Sequence, residues 1–356
     1  MARQKSGQGI SIYRIAELAG VSTATVSNVI NGKAGVGEAT RNKVLDIVRT
    51  HQFQPRITKS PTDTVGIFIR SYGKHNPLSN PYVNKILEGI YDTIFAFGFN
   101  MMLIPLDRIP TTRDAFRIYC HTKKIDAGIF INLTETDDFI LNFENLIPIV
   151  TIGSRFESQA IRSVRSDNRS GARDAVKHLI AMGHTGIVFF APGLRYQDHN
   201  ERLSGYQEAF EEAGLICKPE HIVNHLYSYE DLDMILDRLF LGDGERATAA
   251  FVYNDREALR IANMLTAKGL NIPEDVSIIG FDDDDYARHV TPPLTTVRQP
   301  LGEMGQKAAQ LVVSLLQHDE KMVLSDDLFE TRLVLRRSVK PRGTRAGRTG
   351  RAKTKG

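Results

Sequence analysis

Between Ser22 and Asn31 the sequence reads Ser-Thr-Ala-Thr-Val-Ser-Asn-Val-Ile-Asn, and its side chains sort into two sets at helical spacing. Val26, Val29 and Ile30 turn inward, while Thr23, Ala24, Ser27 and Asn28 turn outward. A helix whose N-terminal end shows small hydroxyl and amide groups can reach base edges in a major groove, while its backbone N–H groups meet phosphate. The surrounding charge agrees: residues 1–60 carry nine Lys and Arg against three Asp and Glu. The chemistry implied is contact with duplex DNA. Spacing alone also allows a small three-helix cap on a larger domain.

A second set of residues has the chemistry of a small-molecule pocket. Tyr82 can stack on the apolar face of a ring, Arg202 can fork across two hydroxyls or a carboxylate, and Asn254 with Asp282 can close a ring of hydrogen bonds. Arg70 ends a strand-like run and by the strand rule faces the same cleft, where it favours an anionic effector such as a phosphosugar or sugar acid. Plainer readings stand beside these. Tyr82 can be helix packing, and Arg202 a surface ion pair with Glu201 or Glu208.

Other suggestive runs carry less. Asp282 to Asp285 are adjacent carboxylates without the spaced ligands and Gly turn of a calcium loop, so no metal is expected. No Gly-x-Gly-x-x-Gly follows a strand and no Gly-x-x-x-x-Gly-Lys-[Ser/Thr] is present, which leaves nucleotide and dinucleotide chemistry without a phosphate cradle. His178 and His184 read as helix-end contacts with no nucleophile at suggestive spacing. Met101, Met102, Phe95, Phe97 and Phe99 read as core. No cofactor and no catalytic activity are expected. Cys120 and Cys217 are the two cysteines, which excludes a disulfide scaffold.

The elements that must position these residues follow from periodicity. With 356 residues, 42% hydrophobic and 24% charged, the chain suits two or three globular domains. It shows no membrane-length apolar run and no export segment, so it reads as cytoplasmic. Ser11 caps a first helix ending at Gly20, Ser22 caps the second, and a third begins near Glu38: a helix-turn-helix with a brace. From Val65, apolar runs at 65–69, 101–104, 127–131, 149–152, 187–190, 250–253 and 276–279 read as buried parallel strands. Amphipathic stretches at 83–97, 171–181, 201–213, 255–268 and 302–316 alternate with them. That alternation is a doubly wound α/β architecture, long enough for two Rossmann-like lobes with a cleft at the strand C-terminal ends. Residues 336–356 hold nine basic groups and no acid, so with a net charge of +3 the middle of the chain is left acidic. The tail, Gly-rich and without apolar periodicity, reads as disordered; it is either a polyanion contact or a solvated charge run.

The run Ile12-Tyr-Arg-Ile-Ala-Glu-Leu-Ala-Gly-Val-Ser-Thr-Ala-Thr-Val-Ser-Asn-Val-Ile-Asn-Gly-Lys33 resembles the headpiece of the lactose-repressor/galactose-repressor (LacI/GalR) family of bacterial transcription regulators. The resemblance continues to about Ser338, through Asn80-Pro-Tyr82, Glu201-Arg-Leu-Ser-Gly-Tyr206, Asn254-Asp255, Ile272 to Asp283 and Thr291 to Pro300. It implies a periplasmic-binding-protein-like body that dimerises and closes on a small effector, a sugar or sugar derivative, to control binding of an operator. It makes Thr23 and Ala24 the main base-reading positions and Ser22, Thr25, Ser27 and Asn31 chiefly backbone contacts. Asn28 stands where the family usually has Arg, which replaces a long cation by an amide suited to adenine edges. The implied organisation is a headpiece over 10–57, a short linker over 58–63 without the family's usual hinge-helix pattern, an effector domain over 64–338 and the basic tail over 339–356. The competing class is a cytoplasmic solute-binding protein whose headpiece no longer reads sequence.

Overall fold

The computed structural model describes residues 12–30, 35–50, 62–70, 77–193, 195–224, 228–317 and 326–342. At the N-terminal end three helices enclose a core of their own. Helix α1 (Ile12–Ala19) stops at Gly20, whose φ of +70° is the left-handed geometry a side chain resists. Helix α2 (Thr23–Ile30) starts from Ser22, whose Oγ accepts from the Thr25 N–H at 3.0 Å and satisfies one free donor of the first turn. Helix α3 (Glu38–Thr50) packs on both. Ile15, Ala16, Ala19, Val26, Val29 and Val44 are buried together, so the inward face anticipated for α2 is the one that packs.

The body holds two six-stranded sheets. Strands β1 (Thr64–Ile69), β2 (Asn100–Pro105), β3 (Ala127–Ile131), β4 (Ile149–Ile152), β5 (Ile161–Ser166) and β11 (Asp327–Phe329) form the first, in the order β2-β1-β3-β4-β5-β11 and parallel throughout. Strands β6 (Ile187–Phe190), β7 (Ile222–Val223), β8 (Ala249–Val252), β9 (Ser277–Asp282), β10 (Thr295–Arg298) and β12 (Arg332–Val334) form the second, in the order β7-β6-β8-β9-β10-β12. The apolar runs read as parallel strands all pair in parallel, and β12, which lies outside those runs, is antiparallel to β10.

Helices flank both sheets: α4 (Pro81–Ala96), α5 (Arg113–Lys123), α6 (Asn168–Ala181), α7 (Gln197–Glu212), α8 (Tyr229–Leu236), α9 (Asp255–Ala267) and α10 (Leu301–Gln317). Because α10 packs on α4 and the first sheet while α6 packs on α7 and the second, the chain passes between lobes after β5, after β10 and after β11. Each lobe has one helix pair with backbones in contact. A Cβ at Gly89 of α4 would stand 2.0 Å from the Gly302 carbonyl oxygen of α10, and one at Gly205 of α7 would stand 2.1 Å from the Arg169 carbonyl oxygen of α6.

Several sequence expectations need correction. Strand β2 lies at a sheet edge, and Leu103 on it is 41% exposed, so this apolar run is not fully buried. Phe95 and Phe97, expected in the core, are 52% and 49% exposed on and just beyond α4, where the Tyr91 ring packs tilted against Phe95 with centroids 4.5 Å apart. His184 does more than end a helix: it is buried, its Nδ1 bonded to Thr248 Oγ1 and its Nε2 to the Lys340 carbonyl. The described backbone continues four residues past Ser338 and stays attached to the second lobe, the Arg342 N–H donating to the Met182 carbonyl at 2.8 Å. Most of the expected linker and most of the tail lie outside the described residues; of the linker, Thr62 and Asp63 are described.

Candidate functional site

The site is assembled from the ends of elements. Both sheets turn their strand C-terminal ends toward a common cavity of about 310 Å³. From the first lobe come Ser79, Asn80 and Tyr82 at the start of α4, where Asn80 caps the helix by accepting from the Tyr82 N–H at 3.1 Å. From the second lobe come the first turns of α7 and α9 and the last residue of β9.

Arg202 is the centre of the polar network. It is 3% exposed on α7, and its guanidinium lies over the Phe281 ring at 3.8 Å. Its Nε donates to Asn168 Oδ1 at 2.8 Å, Nη1 donates to the Tyr253 carbonyl, and Nη2 lies 3.7 Å from Asp198 and 4.0 Å from Asp282. The plainer reading, a surface ion pair with Glu201 or Glu208, does not hold. Glu201 pairs with Arg165 and Glu208 with Arg169.

Asp282 closes β9 in an uncommon conformation. Its φ is +107° and that of Asp283 is +55°, a left-handed geometry rare outside glycine. Surrounding bonds hold the turn: Asp283 accepts from Arg298 at 2.6 Å and Arg336 at 2.5 Å, and the Asp284 N–H donates to Asp255 at 2.8 Å. Asp282 itself accepts from Gln299 Nε2 at 2.6 Å and is 6% exposed. Burial pushes its carboxyl up to about 7, against the opposing pull of the Arg202 guanidinium. Burial also raises the Tyr82 phenol, with Asp198 and Asp282 adding to the shift, and lowers His199. The ring is thus poised to offer neutral donors from Tyr82 and Asn254 and an acceptor whose charge depends on pH.

Of the five residues expected at this pocket, four line it: Tyr82, Arg202, Asn254 and Asp282. Asn254 is also the N-cap of α9, its side chain accepting from the Glu257 N–H at 2.8 Å, so its carbonyl is partly committed and its amide donors are what it can offer. Arg70 does not line the cavity. Its guanidinium bonds to Asp107 at 3.1 Å and to Asp137, which neutralises the positive field that would favour an anionic effector. Sequence reasoning passed over Asp198, His199 and Tyr253. Asp198 and His199 precede Arg202 by four and three residues and share its helix face, and Tyr253 directly follows β8, so both signals were present.

In the headpiece, Ser22 and Ala24 are exposed and Thr23, Thr25, Ser27 and Asn28 half-buried; Asn31 lies outside the described residues. Ser22 Oγ, which caps the helix, also lies 2.9 Å from Thr25 Oγ1, so the two hydroxyls are bonded to each other. Among the described residues no group of three or more His, Cys, Asp or Glu side chains lies close enough to hold a metal ion, and no helix is long and apolar enough to cross a membrane.

Comparison with known proteins agrees with both halves. Residues 11–56 match the family model for bacterial regulatory proteins of the lacI family, and residues 176–339 match a periplasmic binding protein-like domain. Over 317 residues the chain is 31% identical to catabolite control protein A of Priestia megaterium, covering 87% of this chain and 93% of that protein. The solved structure of a transcriptional regulator CelR–cellobiose complex superposes with a TM-score of 0.69 at 28% identity, covering 92% of this chain and 99% of that one. A LacI family transcriptional regulator from Enterococcus faecium with bound ribose gives a TM-score of 0.66 at 25% identity, covering 79% and 100%. With a helix-turn-helix at its head, a two-lobed effector fold behind it and relatives alike over nearly their whole length, the chain belongs to the lacI family of bacterial regulatory proteins.

Proposed function

We propose that this chain is a DNA-binding transcription regulator of the repressor type, controlled by a neutral sugar or sugar derivative and acting without turnover of its ligand. The observation that carries the effector half is the buried Arg202–Asp282 pair beside Tyr82, because a guanidinium, a carboxylate and an aromatic face around one cavity match the hydroxyl edges and apolar face of a sugar ring. Neutralisation of Arg70 by Asp107 and Asp137 favours an uncharged ligand over a phosphosugar or sugar acid. In the DNA half, Thr23 and Ala24 read bases, Ser22, Thr25, Ser27 and Asn31 hold backbone, and Asn28 adds an amide contact. The half-exposed Tyr91, Phe95 and Phe97 give α4 an apolar face suited to a second copy of the chain, so two headpieces address one operator in the cytoplasm, on the nucleoid. A ligand that prefers one arrangement of the lobes then changes operator affinity by its differential binding to the two states.

Selection of bound duplexes from a random library by the full-length protein, with and without a panel of neutral and acidic sugars, tests this reading. The expected result is a palindromic site whose retention responds to a neutral sugar. Enrichment that responds only to acidic sugars would overturn the effector class, and no enrichment under any condition would leave a solute-binding protein.

A further inference from the structure

The effector cavity does not end at Asn254. Its lining continues along α9 through Arg256 and Arg260, and the same two arginines border a second hollow, of about 430 Å³, made with Tyr229, Leu259, Asn263 and Met264. Residues 256, 260 and 263 follow one another at four and three residues, so they lie on one face of the helix. From the cap at Asn254, which lines the cavity, to Asn263 the helix rises about 14 Å. A pyranose ring, built on bonds of about 1.5 Å, measures only about 5–6 Å between opposite hydroxyl oxygens. One ring stacked on Tyr82 therefore does not reach the far end of this path.

The second hollow has the chemistry of a further sugar subsite. Tyr229 stands at the start of α8 and is 59% exposed, a large ring left in water. Its helix turn is nevertheless fixed, because Ser228 Oγ accepts from the Asp231 N–H at 3.1 Å and Asp231 accepts from the Ser228 N–H at 2.9 Å, closing a capping box. A ring held in this way loses little freedom when a ligand covers it. The Arg260 guanidinium lies 5.8 Å from the Tyr229 ring centroid, and Glu257 pairs with that guanidinium at 3.3 Å, so the cation beside the ring is neutralised. Buried Met264 and half-buried Leu259 add apolar surface. Exposed Arg256, which has no ion-pair partner among the described residues, and exposed Asn263 bring donors to the same hollow. An aromatic face with a guanidinium and an amide beside it repeats what Tyr82, Arg202 and Asn254 offer in the cavity.

We infer that the effector is a two-ring sugar, a disaccharide, whose first ring lies in the cavity against Tyr82 and whose second lies against Tyr229 on the outer face of α9. This rests on the sugar-effector reading above and specifies it. Arg256 and Arg260, shared by the two hollows, stand where the rings join, and a guanidinium fork can span hydroxyls on either side of the linkage. The cavity lining sets Arg202, Arg256 and Arg260 against Asp198, Glu257 and Asp282, so a phosphate or carboxylate on the ligand meets little net positive field.

Calorimetric titration of the full-length protein tests this, with glucose, galactose and mannose as one-ring probes, maltose, cellobiose, lactose, sucrose and trehalose as two-ring probes, and glucose 6-phosphate as the anionic one. The expected result is that one disaccharide binds at least tenfold more tightly than any monosaccharide. Tyr229→Ala should remove that advantage while changing monosaccharide affinity less than twofold, and Tyr229→Phe, which keeps the ring face, should retain it. Equal losses for both classes in Tyr229→Ala would overturn the inference, as would a loss in Tyr229→Phe as large as that in Tyr229→Ala, or tighter binding of the phosphate than of any disaccharide. Monosaccharides that bind as tightly as every disaccharide would leave the sugar-effector reading standing and remove only the second subsite. Binding of no sugar at all would remove both.

Discussion

The Arg202 guanidinium and the Asp282 carboxylate stand 4.0 Å apart, both buried, and the carboxylate is nevertheless pushed up to about 7. The cause is that a cation at this distance, itself shared with Asp198 and the Tyr253 carbonyl, restores only part of what water would give an ionised Asp282.

This has a direct consequence for stability. With a folded value raised above the ordinary 3.8, Asp282 is protonated in both states below about pH 4, while between 4 and 7 only the folded chain keeps the proton. Its contribution is therefore fully present in acid and lost as pH rises toward 7, by roughly 4 kcal/mol at the limit. Asp255, raised mainly by burial, acts in the same direction. Urea midpoints measured from pH 5 to 7.5 should decline less steeply in Asp282→Asn than in the unsubstituted protein. Parallel profiles would show that Asp282 is ionised throughout.

Removing the cation has a larger effect. Arg202→Ala leaves Asp282 without its cation, Asn168 without its donor and Phe281 without its stacked guanidinium, and loss of one partner from a buried charge pair costs about 3–5 kcal/mol. Arg202→Lys keeps the charge and loses the planar fork, so it should recover part of that stability while still failing to bind a sugar. Chemical denaturation and calorimetric titration of both variants separate the two effects. A lysine variant that binds the ligand normally would remove Arg202 from recognition.

How much of this was legible in the sequence depended on how local each signal was. The headpiece was readable because caps, glycine stops and inward apolar positions all lie within a few residues of one another, as at Ser22 and Gly20. Strands β3, β4 and β6 were readable to the residue because both faces are buried and the apolar run is continuous. Strand β5, reading Ile-Arg-Ser-Val-Arg-Ser, hides its pairing behind half-buried arginines, one of which meets Glu201 across the lobes. Arg70 shows the limit of the strand rule. The rule placed it at the cleft, but only the fold brings up Asp107 and Asp137, which lie 37 and 67 residues away in sequence.

The close helix pair of the first lobe is also testable. Gly89 meets the Gly302 carbonyl oxygen, and a Cβ at Gly305 would stand 2.2 Å from the Ile86 carbonyl oxygen, so the contacts on both sides are backbone and cannot rotate away. Gly89→Ala should force α4 and α10 apart and cost about 3 kcal/mol, at the upper end of the usual penalty for overpacking. Gly98→Ala provides the contrast. A Cβ there meets nothing within 4 Å, and its φ of +77° limits the cost to about 1–2 kcal/mol of backbone strain. Thermal melts that ranked Gly98→Ala as the more damaging change would contradict this packing.

In the headpiece, capping and base reading fall on different residues of one short helix, so substitutions there should separate affinity from specificity. Ser22→Ala removes the acceptor for the Thr25 N–H and the hydroxyl beside Thr25 Oγ1, at a cost of about 1 kcal/mol to α2. Its effect on DNA should be a uniform weakening across sequences, because the helix itself is loosened. Asn28→Arg instead adds a cation at the rim of the same helix, where a bidentate contact favours guanine over adenine. That variant should enrich a different base at one position of each half-site and steepen the salt dependence by about one phosphate contact per headpiece. Parallel library selections with the two variants read both outcomes. An unchanged consensus for Asn28→Arg, with only its salt slope altered, would move residue 28 from the bases to the backbone.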